Sequence, residues 1–130
     1  MKRIVVCDDE PHIVEGLRYL LRAPDREVVI ARNGREAVDL VVETVPDLLI
    51  VDIMMPVMSG IEVIANLRER LSEKELPIII LTAKGQAQDG AMAQELWGAV
   101  VLAKPFQPKR LRELVVSILE AKVSTPHLSI

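Results

Sequence analysis

Five residues of this 130-residue chain are of types that handle phosphate and hard cations: Asp8, Asp9, Asp52, Thr82 and Lys104. Each stands at the end of a short apolar run. Asp8 and Asp9 directly follow Arg3 to Cys7, and Asp52 directly follows Leu48 to Val51. Thr82 and Lys104 close Ile78 to Leu81 and Val100 to Ala103. Three carboxylates placed together repel one another, and a hard divalent cation relieves that repulsion. Mg2+ suits oxygen ligands and commonly takes one or two carboxylates together with waters and phosphate oxygens. A carboxylate at Asp52 can attack phosphorus to form an acyl phosphate. The cation and Lys104 would then neutralise the phosphoryl oxygens while Thr82 donates a hydrogen bond.

Taken singly, each of these residues has a plainer reading. Asp8-Asp9 reads as a turn or a helix cap. Asp52 reads as a loop residue, Thr82 as a cap for the next helix, and Lys104-Pro105 as a turn. Those readings do not account for the combination, which places all five at strand ends in this order.

The elements that must position them are legible as alternating runs. Arg3 to Cys7, Glu27 to Ala31, Leu48 to Val51, Ile78 to Leu81 and Val100 to Ala103 are β-branched or leucine runs, several without alternation. That pattern suits strands covered on both faces, as in a parallel sheet. Between them, apolar residues recur at helical spacing. Ile13, Leu17, Leu20 and Leu21 follow Pro11, which fits a first helical turn. Ala37, Leu40 and Val41 follow Asn33-Gly34, and Ile61, Ile64, Ala65 and Leu67 precede Leu76-Pro77. The last helix begins at Pro108 and repeats Leu111, Leu114, Val115, Ile118 and Leu119. The segment from Gln86 to Leu96 is the sparsest, with Gly90 inside it and a thin apolar stripe of Met92, Leu96 and Trp97.

Strand and helix alternating five times imply right-handed crossovers and helices on both sides of one sheet. Ligand sites in such sheets form outside the carboxyl ends of the strands, so the five residues converge on one rim. No linker, internal repeat or low-complexity stretch divides the chain. We expect one domain over residues 1–121 and a C-terminal tail over 122–130, with Ser124 to Ile130, including Pro126, frayed.

Composition narrows the function classes. Half the residues are hydrophobic but only 2% are aromatic, so aliphatic side chains and Met build the core. A formal net charge of -3 offers no basic surface for direct nucleic-acid binding. The single cysteine, Cys7, allows no intrachain disulfide and points to a reducing compartment. Its apolar neighbours make it a small buried core residue rather than a reactive thiol. The N-terminal apolar run is too short for a signal peptide or a membrane span, and the expected location is the cytoplasm.

The ordered series of motifs resembles the receiver domains of response regulators. It comprises Val5-Val6-Cys7-Asp8-Asp9-Glu10, Leu49-Ile50-Val51-Asp52-Ile53-Met54-Met55-Pro56 and Met58-Ser59-Gly60. It continues with Pro77-Ile78-Ile79-Ile80-Leu81-Thr82-Ala83-Lys84 and ends with Lys104-Pro105-Phe106. The match runs from Arg3 to about Ala121. The resemblance implies a doubly wound α/β fold, flavodoxin-like, with a five-stranded parallel sheet in the order 2-1-3-4-5 and five flanking helices. It implies Asp52 as the phosphorylated aspartate, Asp9 as a direct Mg2+ ligand and Asp8 acting on the ion through water. The Met54 backbone carbonyl would complete the protein's share of the metal site, Thr82 would be the switch hydroxyl, and Lys104 would pair with the phosphoryl group. A cis Lys104–Pro105 bond is implied, and Gly60 would let the turn beside Asp52 take an unusual backbone conformation. The phosphodonor would be a sensor histidine kinase or a histidine phosphotransfer protein, with output through the face formed by helix 4, strand 5 and helix 5.

The chain departs from the family pattern at that output face. Val101 stands where an aromatic residue is usual, three residues before Lys104, and has neither a ring to flip nor a hydroxyl to expose. Trp97-Gly98-Ala99-Val100 displaces the family's Gly-Ala by one position. The resulting aliphatic face suggests cover by a partner or by a second copy in a homodimer; alternatively, Trp97 folds back over the core. Met54 and Lys84 hold positions that set how fast the acyl phosphate hydrolyses, and a bulky Met54 would shield the phosphorus and prolong its lifetime.

Two other function classes meet this sequence. A hydrolase of the haloacid-dehalogenase type needs a second acid two residues after the nucleophile, and Met54 occupies that position. A phosphorylation-independent interaction module with the same fold would not need all five pocket residues, which are intact here. A milder form, in which phosphate binds but transmits little past Val101, stays open.

Overall fold

β1 (Lys2–Cys7), α1 (Pro11–Leu21), β2 (Arg26–Ala31), α2 (Gly34–Thr44) and β3 (Leu48–Asp52) form the first half of the chain. α3 (Gly60–Arg68), β4 (Ile78–Thr82), α4 (Ala87–Trp97), β5 (Val100–Ala103) and α5 (Pro108–Leu128) form the second. The computed structural model describes residues 1–128, with side chains through residue 121. The strands form one sheet in the order β2-β1-β3-β4-β5, every neighbouring pair parallel. This is the flavodoxin-like order that the motifs implied.

Strand ends differ from the sequence reading by one residue at several places. β1 and β2 start earlier, at Lys2 and Arg26, and β3 and β4 run on to include Asp52 and Thr82. The ladder explains the extension, because Asp52 stands opposite Leu81 and Thr82 opposite Ala103. Asp52 and Thr82 are therefore the last rungs of the sheet rather than loop residues, and their backbones are held by it. Lys104 lies one residue beyond β5, with its N–H donating to the Thr82 carbonyl at 2.7 Å. The Lys104–Pro105 peptide is cis, as the motif implied.

Alternate residues of each strand face opposite sides, and two cores result. Ile4, Val6, Ile50, Ile79 and Leu81 pack with Leu17, Leu21, Leu111 and Val115, beneath α1 and α5. Val5, Cys7, Val51, Ile78 and Ile80 pack with Ala37, Val41, Val63, Ile64 and Ala93, beneath α2, α3 and α4. Every residue of β3 and β4 is buried. Truncating one of their isoleucines to Ala would cost roughly 2–5 kcal/mol, so the strands that carry Asp52 and Thr82 are the least free to shift.

The helices follow the sequence signals with local differences. Pro11 occupies the first turn of α1, whose buried stripe is Val14, Leu17 and Leu21, while Ile13 and Leu20 are half-buried. Asn33 caps α2 by accepting the Glu36 N–H at 2.9 Å, and Ser59 with Glu62 forms a reciprocal capping box at the start of α3. In α4 the expected stripe is overturned. Met92 and Leu96 point outward, and the helix buries only Gly90 and Ala93, with Trp97 half-buried against the core. Two small residues let the α4 backbone lie close on the sheet, which turns the larger apolar positions to solvent. α5 continues as helical backbone across the division expected between residues 121 and 122, so that division marks no helix end. Ser129 and Ile130 of the expected tail lie outside the described residues.

α2 ends in a left-handed residue, and that residue is Val45, at φ 41°, its N–H donating to the Val41 carbonyl at 2.8 Å. Glycine normally fills this cap because an L side chain crowds the following carbonyl oxygen. Val45 is half exposed, so it buries little in return. Val45→Gly is expected to raise stability by about 0.5–1 kcal/mol, the left-handed cost less glycine's greater unfolded-state entropy. A higher thermal midpoint for Val45→Gly, and none for Val45→Ala, would show it.

Candidate functional site

The carboxyl rim of the sheet collects the five residues singled out in the sequence. Asp8, Asp9 and Asp52 each offer a carboxylate oxygen within 4.8 Å of the other two. Asp8, Asp52 and Thr82 are buried, and Asp9 is exposed at the edge. The Lys104 ammonium reaches in from the β5–α5 connection, 3.0 Å from Asp52 Oδ1 and 3.4 Å from Asp8 Oδ2. Thr82 closes the neighbouring strand on the same rim. A depression of about 140 Å³ adjoins the acids, lined by Asp8, Asp9, Arg18 and Arg32 among others.

Two glycines permit this arrangement. A side chain at Gly60 would overlap the Asp52 carbonyl oxygen, and one at Gly34 would overlap the Met58 carbonyl oxygen. The Gly60 N–H donates to the Ile53 carbonyl at 2.8 Å, which draws the β3–α3 loop into a tight return. The role expected for Gly60 is therefore corrected. Its backbone is not left-handed, and it is needed for close approach. The left-handed residue of this loop is Val57, at φ 72° and 80% exposed. A β-branched residue in that region is strained, and it sits five positions from Asp52. Met54, between them, is 66% exposed.

Burial and charge together set the protonation behaviour of the pocket. Burial pushes the Asp52 carboxyl above its ordinary value, and Asp8 and Asp9 add to the rise, while the hydrogen bond and charge of Lys104 oppose it. Burial pulls Lys104 down, but its hydrogen bond to Asp52 and the charges of Asp52 and Asp8 outweigh that, so the ammonium is held above its ordinary value. Burial, with Asp8, Glu36 and Asp52, pushes the Cys7 thiol up to about 12. Cys7 is fully buried and its Sγ lies 3.3 Å from the Asn33 carbonyl and 3.2 Å from Met55 Sδ, the core position expected of it.

One participant carried no assigned role in the sequence. Glu10 lies 4.0 Å from Lys104 Nζ, and its other oxygen is 3.6 Å from His12 Nε2. The signal was the third acid in the run Asp8-Asp9-Glu10. Its side chain is half exposed, so it adds little to the hold on Lys104.

The donor set fits a small hard cation, since oxygen ligands alone converge there and their mutual repulsion calls for positive charge. Asp52 can accept Lys104 through one carboxylate oxygen and present the other as a nucleophile.

Comparisons with known proteins agree with this fold. The family model described as response regulator receiver domain matches residues 4–116. The chain is 36% identical over 126 residues to the alkaline phosphatase synthesis transcriptional regulatory protein PhoP of Bacillus subtilis, covering 96% of this chain and 52% of that protein. It thus spans about half the length of that curated relative. It superposes on the REC domain of AraT, a response regulator from Geobacillus stearothermophilus, with a TM-score of 0.84 at 30% identity, covering 96% of this chain and 98% of that one. A response regulator structure from Chloroflexus aurantiacus gives a TM-score of 0.81 at 34% identity, covering 92% and 98%.

The raised Asp52 carboxyl has a consequence for stability. From 3.8 up to its folded value the native state keeps a proton that the unfolded chain has lost. Stability from this group therefore falls as pH rises through that window. Asp52→Asn is expected to flatten the fall, and urea unfolding of both proteins across the mildly acid range would measure the difference in slope.

Proposed function

The chain belongs to the response regulator receiver domain family, and from that membership we propose that Asp52 accepts a phosphoryl group from a histidine kinase or a histidine phosphotransfer protein. The observation that carries this reading is the placement of the Lys104 ammonium 3.0 Å from Asp52 Oδ1, inside a cluster of three carboxylates. An isolated buried ion pair would need only one carboxylate. A cluster of three with a single ammonium keeps an excess of negative charge, which suits a site built to take up a cation, and that cation with Lys104 would then meet the phosphoryl oxygens.

In the proposed reaction the Asp52 oxygen turned away from Lys104 attacks the phosphorus of a phosphohistidine. The P–N bond breaks, its electron pair stays on the imidazole nitrogen, and an aspartyl acyl phosphate remains on the receiver. Lys104, already charged and already aimed at Asp52, neutralises a phosphoryl oxygen without having to move in from solvent. The Thr82 hydroxyl, one strand away on the rim, donates to another. Asp8, Asp9, Asp52 and the Met54 carbonyl would hold Mg2+, which when bound supplies positive charge against the phosphoryl oxygens. A bulky Met54 side chain, two residues from Asp52, would shield the phosphorus from water, so a phosphoryl group outlasting seconds accompanies this reading.

The output belongs to the face of α4, β5 and α5, where phosphorylation biases a conformational equilibrium. Met92, Leu96 and Val100 are exposed on it, which supports its use as a contact for a partner or for a second copy of the chain in a homodimer. We assign the receiver to residues 1–121 and the tail to 122–130. No described helix is long and apolar enough to cross a membrane; a cytoplasmic setting without direct nucleic-acid contact completes the proposal.

Labelling from a phosphohistidine donor tests the assignment. Wild type is expected to take up label, and Asp52→Asn to take up none; equal labelling of the two would overturn it. Mg2+ is expected to raise the thermal midpoint of wild type, by about 2.7 kcal/mol of stability at a hundred times its dissociation constant. Asp9→Asn should lose most of that rise, and an unchanged rise would remove Asp9 from the metal site.

A further inference from the structure

The seat of α4 differs from that of the other helices. α1 and α5 rest on the sheet through leucines and valines, whereas α4 rests on Gly90 and Ala93. A Cβ built on Gly90 would stand 2.9 Å from Thr82 Cγ2 and 3.2 Å from Val101 Cγ1. The α4 backbone is thus in direct contact with the methyl of Thr82, with Val101 packed beside it. The two ends of the helix are held unequally. At its C-terminal end the Trp97 carbonyl accepts the Arg68 Nε–H at 2.7 Å, and the same guanidinium also donates to the Leu76 carbonyl at 2.8 Å and the Ser72 carbonyl at 3.1 Å. Trp97 itself packs on the core. At the N-terminal end Gln86 makes no side-chain cap to the helix, and its Oε1 instead accepts the Ala83 N–H at 2.7 Å, beside Gly85 at φ 90°.

We propose that in this chain the signal leaves Thr82 through its methyl group, directly into the α4 backbone at Gly90, with no aromatic ring in the path. The hydroxyl and the methyl of a threonine are fixed on one carbon, so neither can turn without the other. Drawing Thr82 Oγ1 toward a phosphoryl group on Asp52 therefore carries Cγ2 to a new position against Gly90. The N-terminal half of α4 follows, because two small residues bury too little apolar surface to resist, while Arg68 and Trp97 keep the far end in place. Val101, without a ring, forms the fixed wall beside that contact. The inference rests on the phosphoacceptor reading above and adds to it the route of output.

The test uses the whole chain with Mg2+ and beryllofluoride as phosphoryl mimic, reading amide hydrogen exchange along α4. In wild type, binding is expected to change exchange over residues 87–93 and to leave residues near Trp97 as they were. Gly90→Ala puts a methyl where Thr82 Cγ2 now rests. Its α4 exchange is expected to be altered before beryllofluoride is added, and to lose the further response on binding. Thr82→Ser, examined at a concentration saturating for that variant, keeps a hydroxyl but lacks the methyl and should lose the α4 response. Gly90→Ala with Thr82→Ser returns one methyl to the contact and is expected to restore the resting exchange of wild type. A full α4 response in Thr82→Ser, or in Gly90→Ala, would overturn the methyl route. So would wild type that binds beryllofluoride with no change in α4. Failure of wild type to bind the mimic would instead bring down the phosphoacceptor reading, and this inference with it.

Discussion

Crowding of like charge at one edge of the sheet is the constraint that the rest of the molecule answers to. Three carboxylates within 4.8 Å of one another repel, and one ammonium at 3.0 Å from Asp52 offsets only part of that repulsion. In a mobile loop the acids would swing apart into water. They do not, because β1 delivers Asp8 at its exit and β3 delivers Asp52 as its last rung, in a sheet whose central strands are buried on both faces. The stability of the aliphatic core is thus what holds the charges together. The excess negative charge is what makes the pocket fit for a hard cation.

The loops around the pocket show the same opposition between local comfort and function. Gly34 and Gly60 carry no side chain because backbone carbonyls of Met58 and Asp52 fill the space. Val57 takes a left-handed conformation that a β-branched residue adopts at a cost, and it does so in the segment that connects Asp52 to α3. The capping box of Ser59 and Glu62 begins two residues later and fixes the α3 end of that loop. Strain between two anchored ends persists only because both ends are held.

How much of this was legible in the sequence depends on whether a feature is carried by residue type or by packing. That Asp8, Asp9, Asp52, Thr82 and Lys104 gather on one rim could be read because few side-chain types suit phosphate and hard cations, and because parallel-strand runs place them at known ends. The sheet order followed from the motif series. The finer placements did not follow. That Asp52 and Thr82 are rungs rather than loop residues depends on the register with Leu81 and Ala103, which no single strand encodes. Gly60 was legible as special but for the wrong reason, since a close approach and a left-handed angle both select glycine. Met92 and Leu96 were read as the inner face of α4 because apolar residues at helical spacing usually point inward. Here Gly90 and Ala93 win that face, since the helix lies too near the sheet to admit anything larger.

That last reversal bears on why the chain can lack an aromatic residue at position 101. A ring transmits motion by vacating one cavity and filling another, which requires a helix seated far enough from the sheet to leave such space. With Gly90 against Thr82 Cγ2 at the distance of direct contact, no such space separates α4 from Thr82. Valine at 101 is then the compatible residue, since a larger one would force the helix off its seat. The glycine inside α4 and the valine on β5 are one accommodation to a single distance between helix and sheet. The outward turn of Met92 and Leu96 follows from the same geometry. A helix brought this close by small residues has its larger apolar side chains left over, and they stand on its solvent face.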